Sequence, residues 1–206
     1  DAKDRYTSGH SKRVAEYSRV IAKRMGKSVT EQEMIYRAGL LHDVGKIRIP
    51  VDIINKPGKL TDEEYDLIKI HPVAGYHILK DISEHYDIAI AAKYHHERYD
   101  GKGYPNGLLG ENIPELARIL AIADSYDAMT SNRSYRKGLP QSVVRSEIEK
   151  GKGTQFDPDI ADIMLQIIDE DKEYTLRQIE RTEYKILMVG EDSECNQRVK
   201  DILQKE

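Results

Sequence analysis

The chain has a single cysteine, Cys195, so no disulfide can form within it and no cysteine-rich zinc site can be built. That scarcity fits a reducing compartment, and the expected location is cytoplasmic. Long apolar runs are missing as well. Nothing reaches the length that spans a bilayer, and the start carries no signal-peptide pattern. There is no basic excess: 32 Lys and Arg stand against 36 Asp and Glu, a net charge of -4. This argues against broad binding of DNA or RNA duplexes, which calls for a basic face. Alternation with a strand's period of two is almost absent from the first ~180 residues, which sets the fold class as all-α. Internal repeats and low-complexity tracts are also lacking. The first residue is Asp1 rather than Met, so the chain reads as a piece of a longer protein.

Its 206 residues suffice for one core with a small appendage. The spacing predicts a first helix from about Ser8 to Met25, with Val14, Ile21 and Met25 on one face and Gly26 as its stop. His10, four residues before Val14, points inward. Thr30 and Glu33 form a capping-box pattern for a second helix through Ile35, Ala38 and Leu41, which puts His42 on the buried face. Thr61 and Glu64 repeat that pattern. The third helix must break near His71, because Pro72 disfavours helical geometry in the residue before it and suits a helix start. A helix over roughly Tyr86 to His96 places Ile88, Ala91, Ala92 and His95 on one stripe, with His96 at its end. The turn-rich DGKGYPNGLLG that follows is a loop, and long loops in compact domains are often functional. Pro114 opens a helix in which Asp124 shares a small-residue face with Ala117, Leu120, Ala121 and Ala128. Asp157 and Pro158 start a last, structural helix.

Polar side chains on buried helical faces cost free energy unless something pairs with them. Here His10, His42, Asp43, His71, His95, His96 and Asp124 are of one kind. A lone histidine on an apolar face is usually a hydrogen-bonded core residue, but so many together are hard to explain that way. Neutral imidazoles and carboxylates are the ligand set of iron, manganese, zinc, nickel or cobalt, and two divalent ions suit this number of donors better than one. In the adjacent His42-Asp43 pair the histidine can bind one ion while the carboxylate bridges to the second. Two ions roughly 3.5–4 Å apart serve phosphoester hydrolysis.

The His42-Asp43 pair, with a histidine upstream and an aspartate downstream, resembles the HD superfamily of phosphohydrolases. More specific are HDVGKI at 42 to 47, HPVAGYHIL at 71 to 79, HHERYDGKGYPNGLLGENI at 95 to 113, ADSYDAMTSNRSYR at 123 to 136 and GTQFDP at 153 to 158. Over residues 5 to 170 these segments look like the HD-GYP subfamily. The resemblance implies a helical domain over 1–184 that hydrolyses cyclic di-GMP to pGpG, and on to GMP, by a metal-activated hydroxide. It also implies that His42, Asp43, His71, His95, His96 and Asp124 bind metal, with Asp43 bridging and His10 joining them. Iron or manganese is the family habit. Some members hold a third metal through a glutamate one turn before His10. Tyr6 occupies that position here, and a neutral phenol is a poor substitute, so two ions are expected.

The resemblance makes Lys46 a catalytic phosphate contact, for which a compact ammonium is suited; its bland reading is a solvated lysine near a helix end. Arg133 and Arg136 could grip the second phosphate or a guanine edge, with surface ion pairing as the alternative. The loop of Asp100, Gly101, Lys102, Gly103, Tyr104 and Pro105 either shapes substrate access or binds a partner domain, or else is a turn without substrate contact. His77 and His85 have no motif support. The thirteen tyrosines are scattered and read as packing residues. Near Lys185 the pattern KILMV, then Gly-Glu-Asp-Ser, then CNQRVKDILQ resembles one strand and one helix at the opening of a response-regulator receiver domain over 185–206. Gly190 stands where the first acid of its usual pair belongs. A complete protein with that domain would be a two-component output protein gated by phosphorylation. The rivals are an HD phosphohydrolase acting on another nucleotide and a module that binds cyclic di-GMP or a partner without turning it over. The oligomeric state has no sequence signal.

Overall fold

The computed structural model describes residues 9–81, 86–132 and 137–177. Among them there is no strand, only two isolated bridges, Asp100 with Leu109 and Lys152 with Phe156. Ser8, Tyr6, His85, Arg133, Arg136 and the segment 185–206 lie outside the described residues.

Helix α1, His10–Arg24, buries Val14, Ala15, Tyr17, Ile21 and Ala22. Gly26 ends it as expected, at φ 76. The amides of Gly26 and Lys27 turn back to the carbonyls of Lys23 and Ala22, the pair of bonds that satisfies a helix's last carbonyls. Helix α2, Val29–Leu41, starts one residue earlier than the pattern suggested. Its capping box is Ser28 with Glu31, not Thr30 with Glu33, because Ser28 directly follows the turn that ends α1. The two helices pack closely: a Cβ on Gly39 would lie 2.5 Å from the Ala15 Cα.

After α2 the chain tightens into a 3-10 turn, Val44–Arg48, then the short α3, Val51–Ile54. Neither was visible as a periodic pattern, since each is too short to show one. Thr61 and Glu64 do cap α4, Asp62–Ile68. The break at His71 is real, and Pro72 sits in the first turn of α5, His71–Leu79. The 3-10 turn lies flat on α5, where a Cβ on Gly45 would be 1.9 Å from the His71 carbonyl oxygen and 2.5 Å from the Gly75 amide. Only glycine permits that approach.

Helix α6, Tyr86–Tyr94, stops short of both histidines that follow it. The core is completed by α7, Glu115–Thr130, which buries Ile119, Leu120, Ile122, Ala123 and Tyr126. Each buried isoleucine or leucine among them contributes about 1.5–3 kcal/mol by leaving water. Helices α8, Gln141–Gly151, and α9, Pro158–Glu170, pack against each other and on α7. Asp157 caps α9 by accepting from the amides of Asp159 and Ile160, and it also pairs with Arg118 of α7. No helix among the described residues is long and apolar enough to cross a membrane.

Candidate metal centre

The packing of α1, α2, α5, α6 and α7 brings residues at the ends of the first four, and Asp124 from within α7, to one place. His42 follows the last residue of α2, His71 follows the α4–α5 break, and His95 follows α6. A helix leaves its last four carbonyls without amide partners, and each of these histidines uses one. Nδ1 donates to the carbonyl three residues back: His42 to Gly39 at 2.6 Å, His71 to Ile68 at 2.7 Å, His95 to Ala92 at 2.8 Å. A carbonyl only accepts, so the proton is on Nδ1 and Nε2 is left as the lone-pair nitrogen.

All three Nε2 atoms turn toward Asp43. Its Oδ1 lies 3.2 Å from His71 Nε2 and 3.8 Å from His95 Nε2. Its Oδ2 lies 3.4 Å from His42 Nε2, 3.6 Å from His10 Nε2 and 2.6 Å from the Lys46 ammonium. Asp43, His71, His95 and His96 form one group of donor atoms within 4.8 Å of one another, and His10, His42 and Asp43 form another. Asp43 belongs to both. Asp124 joins from α7, with Oδ1 3.4 Å from His10 Nε2. The His96 ring stands 4.1 Å from that of His95 and 5.0 Å from that of His71. Every ligand candidate named from the sequence is therefore at one locus, along with Lys46.

The electrostatics suit a cation. Burial alone would push Asp43 toward its neutral acid, but the Lys46 ammonium, with His10 bonding to the same carboxylate, outweighs the burial and holds the carboxyl well below its usual range. Burial keeps His95 neutral, helped by the imidazoles around it, and lowers His96 to about 4. Burial opposes charge on His10 too, yet Asp127, Asp43 and Asp124 raise that imidazole to about 9. His42 Nε2 and Asp43 Oδ1 are buried and make no hydrogen bond among the described residues. Orphaned buried atoms of this kind are costly, and a divalent ion accepting their lone pairs would satisfy both. The donor set fits a metal.

Three residues of the site escaped the sequence reading. Asp127, 2% exposed, takes the Nδ1 proton of His10 at 2.7 Å. Arg13 binds the same carboxylate, Nε to Oδ1 at 2.6 Å. Each lies three residues after a ligand candidate on the same helix, and that spacing was the available signal. The third is Glu97. Buried at 3%, it accepts from the amides of Asn106 and Leu108 at 2.7 and 3.0 Å and so anchors the loop after His96. Within that loop Arg98 pairs with Asp100. A Cβ on Gly103 would lie 2.3 Å from the Arg98 amide nitrogen, the Tyr104-Pro105 bond is cis, and Gly101 has φ 75. Tyr104 stacks on His96, so the loop touches the site through this ring.

The chain is thus an all-helical domain in which histidines and aspartates converge from separate helices on a candidate metal centre. The chain belongs to the HD domain family: the family model of that description matches residues 2–160, and the segments quoted above make it an HD-GYP domain. It is 40% identical over 166 residues to the cyclic di-GMP phosphodiesterase response regulator RpfG of Xanthomonas campestris, covering 80% of this chain and 44% of that protein. It is 40% identical to 3'3'-cGAMP-specific phosphodiesterase 2 of Vibrio cholerae, over 82% of this chain and 33% of that one. With a cyclic di-GMP phosphodiesterase of Thermotoga maritima it shares 39%, over 80% and 45%. The chain thus spans less than half the length of these relatives. Among solved structures, a cyclic GMP-AMP specific phosphodiesterase of V. cholerae superposes with a TM-score of 0.64 at 17% identity, over 97% of this chain and 51% of that one. The HDG"Y"P protein Bd1817 of Bdellovibrio bacteriovorus does so with 0.63 at 21%, over 78% and 51%. At these identities the likeness is one of fold.

Proposed function

We propose that this domain is a metal-dependent phosphodiesterase that hydrolyses cyclic di-GMP. The observation that carries the reading is Asp43, whose two oxygens face different histidines, His71 and His95 on one side, His42 and His10 on the other. A carboxylate so placed is what a ligand shared by two cations requires. The names borne by the relatives support the substrate class.

Two divalent ions, iron or manganese with zinc, nickel or cobalt accepted by the same donors, would supply Lewis acidity and water activation for in-line attack on a phosphodiester. The residues assigned to hold them are His10, His42, Asp43, His71, His95, His96 and Asp124. His42, His71 and His95 bring lone pairs already aimed by their backbone hydrogen bonds, so little reorganisation accompanies binding. Lys46, paired with Asp43 in this structure, contacts the substrate phosphate. Arg133 and Arg136 contact the second phosphate or a guanine edge. Hydrolysis takes up one water and breaks one phosphoester bond, giving linear pGpG; a second cleavage gives GMP. The reading puts the domain in the cytosol, under a regulatory domain that begins near 185.

The test is an anaerobic, metal-replete assay with cyclic di-GMP and 3'3'-cGAMP side by side, and Asp43→Asn as control. Release of pGpG by the wild type and not by Asp43→Asn is expected. Faster cleavage of 3'3'-cGAMP would reassign the substrate, and equal release by both proteins would remove the metal mechanism. Tight binding of cyclic di-GMP without product in manganese or ferrous iron would make the domain a binding module.

A further inference from the structure

His42, His71 and His95 each follow the end of a helix within one turn and direct Nδ1 back to one of its carbonyls, and His10 does not. It is the first residue of α1, where a helix offers unpaired N–H groups and no free carbonyl. Its Nδ1 is held by a side chain, where those of His42, His71 and His95 are held by backbone carbonyls. Asp127, from the last turns of α7, takes over that task. Oδ2 accepts from His10 Nδ1 at 2.7 Å and from an Arg13 guanidinium nitrogen at 3.2 Å, while Oδ1 accepts from Arg13 Nε at 2.6 Å and Ser131 Oγ at 3.0 Å. Four donor atoms, three from α1 and one from Ser131 just past α7, leave this carboxylate one orientation. It is 2% exposed, so water does not compete for it.

We infer that Asp127 is a positioning residue for one end of the cluster only: it keeps the proton of His10 on Nδ1, aims Nε2 at Asp43 and Asp124, and so governs cation binding at the His10–His42 end. The His71–His95–His96 end draws its orientation from backbone carbonyls and from packing, with no hydrogen bond to Asp127. The two ends are thus unequal. One has an imidazole backed by a carboxylate, which raises its basicity toward a metal, and the other has imidazoles backed by neutral dipoles. Arg13 serves the same end indirectly, because it fixes the rotamer of Asp127 and sustains its negative charge.

This inference rests on the two-cation reading. Manganese titration of the metal-free 206-residue chain by calorimetry tests both, with Asp127→Asn and Arg13→Gln as variants and the unfolding midpoint of each metal-free protein measured beside it. The asparagine keeps the size but turns an amide NH2 toward either Arg13 or His10, which clashes with a donor or shifts the His10 proton to Nε2. The wild type is expected to take up two ions. Asp127→Asn should retain one at wild-type affinity and weaken the other about 10–100-fold, and Arg13→Gln should weaken the same step by less. Equal weakening of both steps, or of neither, overturns the inference. Should Asp127→Asn fail to fold, Arg13→Gln decides alone by the same criterion. A wild type that takes up a single ion overturns the two-cation reading itself, and the assignment of ends with it.

Discussion

The phenol ring of Tyr104 is stacked on the imidazole of His96, with ring centroids 4.8 Å apart and planes 23° from parallel. His96 follows His95 past the end of α6, and the loop returns over it because the carboxylate of buried Glu97 binds the amides of Asn106 and Leu108. The ring of Tyr104, rather than its hydroxyl, then sets the plane of His96. Tyr104→Phe should keep phosphodiesterase activity near wild type, and Tyr104→Ala should lower kcat/KM about 3–10-fold, the range of one aromatic stacking contact. Steady-state assays in saturating manganese decide; a Phe variant as impaired as Ala would assign the function to the hydroxyl.

Gly45 lets the 3-10 turn lie on α5, and this contact sets Asp43 beside His71. Gly45→Ala would place a methyl 1.9 Å from the His71 carbonyl oxygen, so the two segments must part. A loss of about 1–3 kcal/mol in stability is expected from such overpacking, with manganese affinity falling alongside. Denaturant unfolding and a metal titration check the pair of effects, and a stable variant with full affinity would show that the turn has room to move.

Lys46 places its ammonium 2.6 Å from Asp43 Oδ2 and so competes with a cation for the same oxygen. Lys46→Met should leave manganese affinity undiminished while kcat/KM falls on the order of 100-fold, as for loss of one charged donor to a transition state. If affinity and turnover fell together, Lys46 would be holding the site rather than the substrate.

The imidazole of His10 titrates at about 9 in the metal-free fold, against 6.5 ordinarily. Its proton therefore stabilises that fold fully below about pH 6.5, and this contribution disappears as pH rises through about 9. A metal must displace the same proton. His95 and His96 are already neutral, the latter at about 4, and have none to lose near neutrality. Manganese binding at about pH 7.5 should then release about one proton per chain, and none near pH 10. Calorimetry in buffers of different ionisation enthalpy counts it. No release at pH 7.5 would mean that His10 is not displaced by the ion.

The candidate ligand set was legible because it is a matter of kind and spacing. His10 recurs in register with Val14, and the adjacent His42-Asp43 pair needs no tertiary information to be noticed. Helix breaks at Gly26 and Pro72 were equally local, since a positive φ or a missing amide belongs to one residue. The capping of α2 was misread by two positions because Ser28 and Thr30 satisfy the same local rule, and only the turn that closes α1 chooses between them. Asp127, Arg13 and Glu97 were missed for a different reason: an acid or a guanidinium carries no mark of its partner until another helix comes beside it.

Sequence alone settled that the domain is helical and that histidines and aspartates of one chemistry face its interior, because periodicity and residue type are properties of the chain itself. Tertiary packing decided that Asp43 stands between two groups of histidines and which backbone or carboxylate oxygen holds each Nδ1. Those relations join residues up to 117 positions apart, and no local rule reaches across such a separation.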